Sequence, residues 1–315
     1  MVYFILFLLS VVLTYVIKAY ATKKAILDIP NARSSHSSPT PRGGGLAIVM
    51  VFYIGLFFFQ ESIDSKLFYA LLCAVPIVLV SLFDDIFTLS AKVRFFVQSI
   101  SALGALYFLG GVTSIDFIFF ELHGLWLNII AFFTIIWLTN LYNFLDGIDG
   151  YAGSEAVMVG LGLFVFFNNP LGLVIVAACL GFLLFNWHQA SVFMGDVGST
   201  TLGFIFSVFF FYDTADGNIY IWLILLSLFW FDATLTLIRR YRNNENITQA
   251  HRKHAYQRLI QSGWGHAKVV GFSLAFNLIF FVLLYFVENV LIVFMLNIVS
   301  LYVIAKLIDD KKSFI

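Results

Sequence analysis

Charge is what this sequence has least of. Asp, Glu, Lys and Arg make up 11% of its 315 residues, against about 25% in a soluble domain. That shortage excludes an ordinary soluble enzyme. The formal net charge of zero is uninformative until it is divided by membrane side, and no nucleic-acid partner is expected. Cysteine is nearly absent too. Cys73 and Cys179 both fall inside apolar runs, which leaves neither a disulfide framework nor a thiolate zinc site. No soluble domain, low-complexity segment or convincing internal repeat is visible. The first apolar run, Val2 to Ile17, lacks a basic flank and a small-residue cleavage site, so it reads as a retained span rather than a signal peptide.

Apolar length is what the chain has in abundance. Hydrophobic residues reach 61%, with 38 Phe, in runs long enough to cross a hydrocarbon core about 30 Å thick. The spans fall at 2–20, 45–60, 67–83, 95–110, 125–142, 151–167, 171–187, 200–212, 219–237, 269–286 and 290–307. The expected fold is all-α, a polytopic bundle of about eleven transmembrane helices forming one domain over 1–315. The eighth run is short for a full crossing. Lys23, Lys24, Arg33, Arg42, Lys92, Arg94 and the Arg/Lys-rich stretch from Arg239 to Lys268 fall in alternate loops, and Lys66 alone lies opposite. The positive-inside rule then puts the N-terminus outside and the C-terminus in the cytoplasm. All the His except His123 share the cytoplasmic side, so the chemistry is expected there. The longest outer loop, Gly111 to Gly124, has the aromatic, β-branched content of a small hairpin.

The stretch NLYNFLDGIDGYAG, Asn140 to Gly153, dominates the polar residues. Asn140, Asn143 and Asp146 recur every three residues and share a face while the helix lasts. Gly147 and Gly150 then end it. Carboxylates at a helix C-terminus meet the negative end of its dipole, which disfavours them unless a cation is near. Asp84 and Asp85 crowd another helix end at a membrane edge, with Lys92 and Arg94 the nearest cations. In FMGDVGST, the turn residues Gly198, Ser199 and Thr200 would present N–H groups to phosphate, with Asp196 free to hold a metal beside them. The first loop offers Asp28 and the phosphate donors Arg33, His36 and Arg42. His251 and His254 stand one helical turn apart near Arg252, a better basic pocket for a diphosphate than a zinc site. Asp232 lies in an apolar span, where it either serves function or pairs with Arg239 or Thr236.

The runs DDIFTLSAKVR, NLYNFLDGIDGYAG, FMGDVGST and HRKH, in that order across the cytoplasmic loops, resemble the polyprenyl-phosphate N-acetylhexosamine-1-phosphate transferases. The resemblance implies an eleven-span enzyme of the bacterial inner membrane. It implies catalytic roles for Asp84 and Asp85, the first removing a proton from the lipid phosphate, and for the acidic pair Asp146 and Asp149. Asn143 and Asp196 would hold Mg²⁺, with Mn²⁺ as the alternative, on the donor diphosphate. Asn186 and Phe193 would line the nucleoside pocket. His251, Arg252 and His254 would meet the diphosphate or sugar, and Asp28, Arg42 and Arg94 complete the substrate-binding set. The implied substrates are undecaprenyl phosphate in the bilayer and a UDP-N-acetylhexosamine, and a homodimer stays open.

The peptidoglycan enzymes of this superfamily carry a triple His where HRKHAYQRL stands, which makes a MurNAc-pentapeptide donor doubtful. The loops look most like the O-antigen-initiating transferases, which use UDP-GlcNAc or a deoxy relative such as UDP-N-acetylfucosamine or UDP-N-acetylquinovosamine. A CDP-alcohol phosphotransferase pattern is absent. A transporter would place its polar groups near the midplane between repeated halves, whereas here they gather at one face. Asp84→Asn and Asp196→Asn are expected to abolish turnover, and Asp309→Asn, in the tail, to be near neutral.

Overall fold

The computed structural model describes residues 1–30, 35, 38–87, 89–117, 120–214, 219–247, 249 and 251–314. Arg33 and His36 lie outside the described residues. The chain is an all-α bundle with two short antiparallel ribbons. Its helices are α1 (Val2–Lys23), α2 (Gly45–Phe58), α3 (Ser65–Leu72), α4 (Val75–Phe87), α5 (Ala91–Leu109), α6 (Leu125–Phe144) and α7 (Tyr151–Phe167). There follow α8 (Leu171–Asn186), α9 (Asp196–Asp213), α10 (Ile219–Leu225), α11 (Ser227–Arg242), α12 (Ala255–Gln261), α13 (His266–Phe286) and α14 (Val290–Lys311). Each apolar run of the sequence is helical. Among the described residues, five stretches are long and apolar enough to cross a membrane alone, namely Val2–Lys23, Ser65–Phe87, Leu125–Phe144, His266–Phe286 and Val290–Lys311. The protein is a multi-pass membrane protein.

Helix α9 is the axis of the bundle. It is apolar on every side and buried from Val197 to Phe211, as a helix without a polar face must be. Helices α2, α4 and α6 pack around it. The α2 crossing depends on glycine, because a Cβ on Gly45 would lie 2.4 Å from the Gly198 Cα. The outer helices carry apolar residues outward, among them Phe96 and Leu103 on α5 and Leu296 and Val299 on α14. A lipid environment explains that exposure.

Two expectations are corrected here. The eighth span begins earlier than read, at Asp196, so Gly198, Ser199 and Thr200 are helical rather than a turn before the helix. The ninth run is not one rod, for α10 and α11 meet at a bend of 78°. The bend frees the Leu223 carbonyl from its helical partner, and the Trp230 indole N–H donates to it at 2.7 Å, which satisfies the acceptor inside the bundle.

The ribbons place loops. Strands β1 (Leu27–Asp28) and β2 (Thr40–Pro41) close the first loop on itself. Its exit then runs beside residues 193 and 194. The Phe193 N–H donates to the Pro41 carbonyl at 2.8 Å, and the Gly44 and Gly45 N–H groups donate to Phe193 and Met194 at 2.9 and 2.8 Å. On the opposite face, β3 (Ser114–Asp116) pairs with β4 (Glu121–His123) in the hairpin expected over Gly111 to Gly124.

Candidate active site

The loops joining these helices at the end that holds Asp28 and Asp196 enclose a cavity of about 450 Å³. Of the residues singled out from sequence, Asp28, Arg42, Asp85, Asn143, Asp146, Asp149, Asn186, Phe193, Asp196 and His251 line it. They come from seven separate stretches of chain. Asp84, Arg94, Arg252 and His254 stand outside its wall.

The paired aspartates divide. Asp85, on the inner face of α4, accepts the N–H groups of Asp196 and Val197 at 3.1 and 3.3 Å. It therefore caps the N-terminus of α9, the favoured place for a carboxylate. The Gly198 and Ser199 N–H groups expected to meet phosphate donate instead to the Gly195 carbonyl, both at 3.2 Å. Asp84 turns the other way. It accepts the Leu89 N–H and pairs with the Arg94 guanidinium at 2.7 Å. Arg94 also reaches Asp196 at 3.1 Å, and the Asn143 amide hydrogen-bonds the same Asp196 carboxylate. Asp84, Arg94, Asp196 and Asn143 thus form one connected cluster.

Asn140 leaves that group. Its amide pairs with Gln98 of α5 at 2.7 Å and with the Ile136 carbonyl, so the face shared with Asn143 and Asp146 does not extend back to it. The helix ends at Phe144, and Asp146 sits in the turn beyond. Among the described residues its carboxylate has no hydrogen-bond or ion-pair partner. Burial, then the charges of Asp196, Asp85 and Asp149, push it up to about 8. Gly147 follows under Tyr256, whose hydroxyl lies 2.0 Å from where a Cβ would stand. Gly150, at φ 75°, starts α7, and its N–H donates to Asn186 Oδ1 at 3.0 Å. Asn186 donates in turn to the Val192 carbonyl at 2.9 Å. It fixes the turn as well as lining the cavity.

Asp149 is held by groups that sequence reasoning missed. Burial alone would raise its pKa, but hydrogen bonds from His266 and His188 and from the Ala190 N–H outweigh that and hold it below the usual carboxylate value. Both His belong to the cytoplasmic His group, and that shared side was the one signal available for them.

The HRKH segment is not helical, although the His251 and His254 rings lie 4.9 Å apart. Helix α12 starts only at Ala255, so His251 and His254 are not on one helical face. His251 lines the cavity. Burial, then the neighbouring His254 and Arg240, lower its pKa to about 4. His254 is buried at the head of α12, stacked on Tyr256 with ring centroids 6.0 Å apart and 3.6 Å from Asp232. The Arg252 carbonyl accepts from Gln261 at 2.7 Å. Asp232 pairs with Thr236 and accepts the Ala255 N–H on both oxygens, each at 2.9 Å. Arg239 is not its partner and goes to Asp309 instead.

Comparison with known proteins agrees with this architecture. Residues 67–213 match Glycosyl transferase family 4. The chain is 32% identical over 283 residues to the probable undecaprenyl-phosphate N-acetylglucosaminyl 1-phosphate transferase of Bacillus subtilis, covering 84% of this chain and 78% of that one. The chain belongs to the polyprenyl-phosphate N-acetylhexosamine-1-phosphate transferase family. Its similarity extends to the Thermotoga maritima undecaprenyl-phosphate alpha-N-acetylglucosaminyl 1-phosphate transferase, 29% identical over 89% of this chain and 91% of the other. A Mycobacterium leprae decaprenyl-phosphate N-acetylglucosaminephosphotransferase is 27% identical, over 84% of this chain and 78% of its own. As a member of this family, the chain is a sugar-1-phosphate transferase.

A second opening lies beside the cavity. A groove of about 570 Å³ between α5 and α6 is lined by Phe95, Phe133, Ile136, Trp137 and Phe144, with Arg94 also in its wall.

Proposed function

We propose that this protein transfers an N-acetylhexosamine 1-phosphate, GlcNAc or a deoxy relative such as FucNAc or QuiNAc, from a UDP-sugar to undecaprenyl phosphate. UMP leaves, and the product starts a lipid-linked surface polysaccharide such as O-antigen. The reaction runs at the cytoplasmic face of a bacterial inner membrane, in a single domain of eleven crossings with the N-terminus outside. The observation that carries this reading is the position of Arg94. It lines the apolar groove and bonds Asp196, which lines the polar cavity. A lipid phosphate whose tail lies in the groove therefore meets the cavity at a guanidinium suited to phosphate.

The remaining groups sort by chemistry. Asn143, Asp146 and Asp196 present only oxygen donors around a site with surplus negative charge, which fits Mg²⁺ and also Mn²⁺. A dication bound there would neutralise the donor diphosphate and stabilise UMP as it leaves. Phe193 offers a face for uracil, while Arg42 and His251 also line the cavity and suit the diphosphate and sugar. A phosphate monoester loses its second proton near pH 6, so at neutral pH the attacking lipid is mostly dianionic. Positioning by Arg94 and Asp84 then outweighs proton removal. The test is purified protein with UDP-GlcNAc, undecaprenyl phosphate and Mg²⁺, followed by UMP release. No UMP from any UDP-N-acetylhexosamine overturns the proposal. Direct attack also requires net inversion at a chirally labelled phosphorus, whereas retention means a double displacement.

A further inference from the structure

Three side chains from distant parts of the chain converge beside the cavity, and the transfer reading gives none of them a step. They are Asp149 in the turn before α7, His188 in the loop after α8, and His266 at the start of α13. His188 Nδ1 lies 3.0 Å, and His266 Nδ1 3.2 Å, from the same oxygen, Asp149 Oδ2. All three donor atoms fall within 4.8 Å of one another.

Hydrogen bonding alone leaves a conflict at His266. Its Nδ1 also faces the backbone N–H of Asp149 at 3.3 Å. That single nitrogen would have to donate to the carboxylate and accept from the amide at once, which an imidazole nitrogen cannot do. A cation shared by the two ring nitrogens and the carboxylate oxygen would resolve that conflict. Around a tetrahedral zinc ion with bonds of about 2.0–2.2 Å, neighbouring donor atoms stand roughly 3.3–3.5 Å apart, close to the spacing here. Two imidazoles with one carboxylate select a borderline transition metal, whereas the all-oxygen floor around Asp196 selects Mg²⁺. Asp149 and His266 both line the cavity, so an open coordination position there would face solvent or solute.

We infer that Asp149, His188 and His266 form a second metal site, which takes a transition-metal dication such as Zn²⁺ and is separate from the Mg²⁺ floor. The probe is zinc chloride, added to the full chain in detergent after stripping with EDTA and re-equilibrating in excess Mg²⁺. Elemental analysis and titration calorimetry should find one zinc per chain. His188→Ala removes a side chain that is 39% exposed, so it leaves the core intact. It should weaken zinc by about tenfold or more, the scale on which even changes behind the ligands act. His266→Ala should do the same, and His188→Ala carries the test if that variant misfolds. His251→Ala should bind zinc as the wild type does. The inference is overturned if the wild type holds no zinc in excess Mg²⁺, if His188→Ala keeps wild-type affinity, or if His251→Ala loses it. Metal content is the readout, so the result stands apart from whether sugar phosphate is transferred.

Discussion

Asp309 is the residue whose replacement departs furthest from its expected neutrality. It lies in the last turn of α14, the negative end of the helix dipole, where a carboxylate is disfavoured without a cation. Two guanidiniums supply the compensation. Arg239 of α11 binds it in a fork, with both bonds at 2.9 Å, and Arg258 of α12 binds it at 2.6 Å. The Phe314 ring lies 5.3 Å from Arg239 and 5.5 Å from Arg258, so the tail closes over the pair. Hydrogen bonds to charged groups are worth about 1.5–3 kcal/mol each, and Asn keeps one acceptor. Asp309 is 32% exposed, and solvent screening trims the remainder to about 2 kcal/mol. Asp309→Asn should therefore lower the midpoint of heat unfolding in detergent by about 4–8 °C, at roughly 2–4 °C per kcal/mol. It should also raise the KM for the UDP-sugar more than it lowers kcat, because α12 carries the segment that presents His251. The exposed neighbour Asp310 is the control, and Asp310→Asn should match the wild type. If Asp309→Asn melts with the wild type and keeps its donor KM, the three-way tie between α11, α12 and α14 contributes nothing and the reasoning is wrong.

Other outcomes follow from the site. Asp196→Asn and Asp84→Asn should each abolish turnover while the protein still inserts and melts cooperatively; appreciable activity in Asp196→Asn would remove the diphosphate floor from the mechanism. Ala91 also lines the α5–α6 groove, so Ala91→Trp should plug it and raise the KM for undecaprenyl phosphate by about tenfold, the worth of burying roughly two methylenes. Its donor KM and its rate with a short-chain acceptor should hold, and equal damage to both substrates would refute a lipid groove. His251, with a pKa lowered to about 4, stays neutral in the folded protein where an unfolded His gains a proton. Its contribution to stability is therefore whole above pH 6.5 and is lost as pH falls toward 4. The midpoint of wild type should accordingly fall more steeply than that of His251→Gln between pH 6.5 and 4, and parallel curves would contradict the assignment.

The membrane architecture was legible because burial in lipid writes itself into local composition. Each apolar run became a helix, and the four polar motifs all returned to one end of the bundle. What composition could not show was where each polar side chain points. Asn140 and Asn143 are three residues apart, yet one locks onto Gln98 and the other meets Asp196. His251 faces the cavity while His254 is buried on Asp232 and Tyr256. In both cases the deciding partner comes from another helix. His188 and His266 were invisible for the same reason, since only the fold brings them to one oxygen.

From sequence, Asp84, Asp85, Asp146 and Asp149 looked alike in need of a cation, and Asp309 did not. The fold satisfies most of them internally: Asp84 has Arg94, Asp85 has the N–H groups of α9, Asp149 has two imidazoles, and Asp309 has two arginines. Asp146 has none among the described residues, and burial, then its three acidic neighbours, push it up to about 8. The unmet demand for positive charge is thus concentrated where Asp146, Asn143 and Asp196 face the cavity. A dication arriving with a nucleotide diphosphate would meet that demand, and this local imbalance coexists with a chain whose net charge is zero.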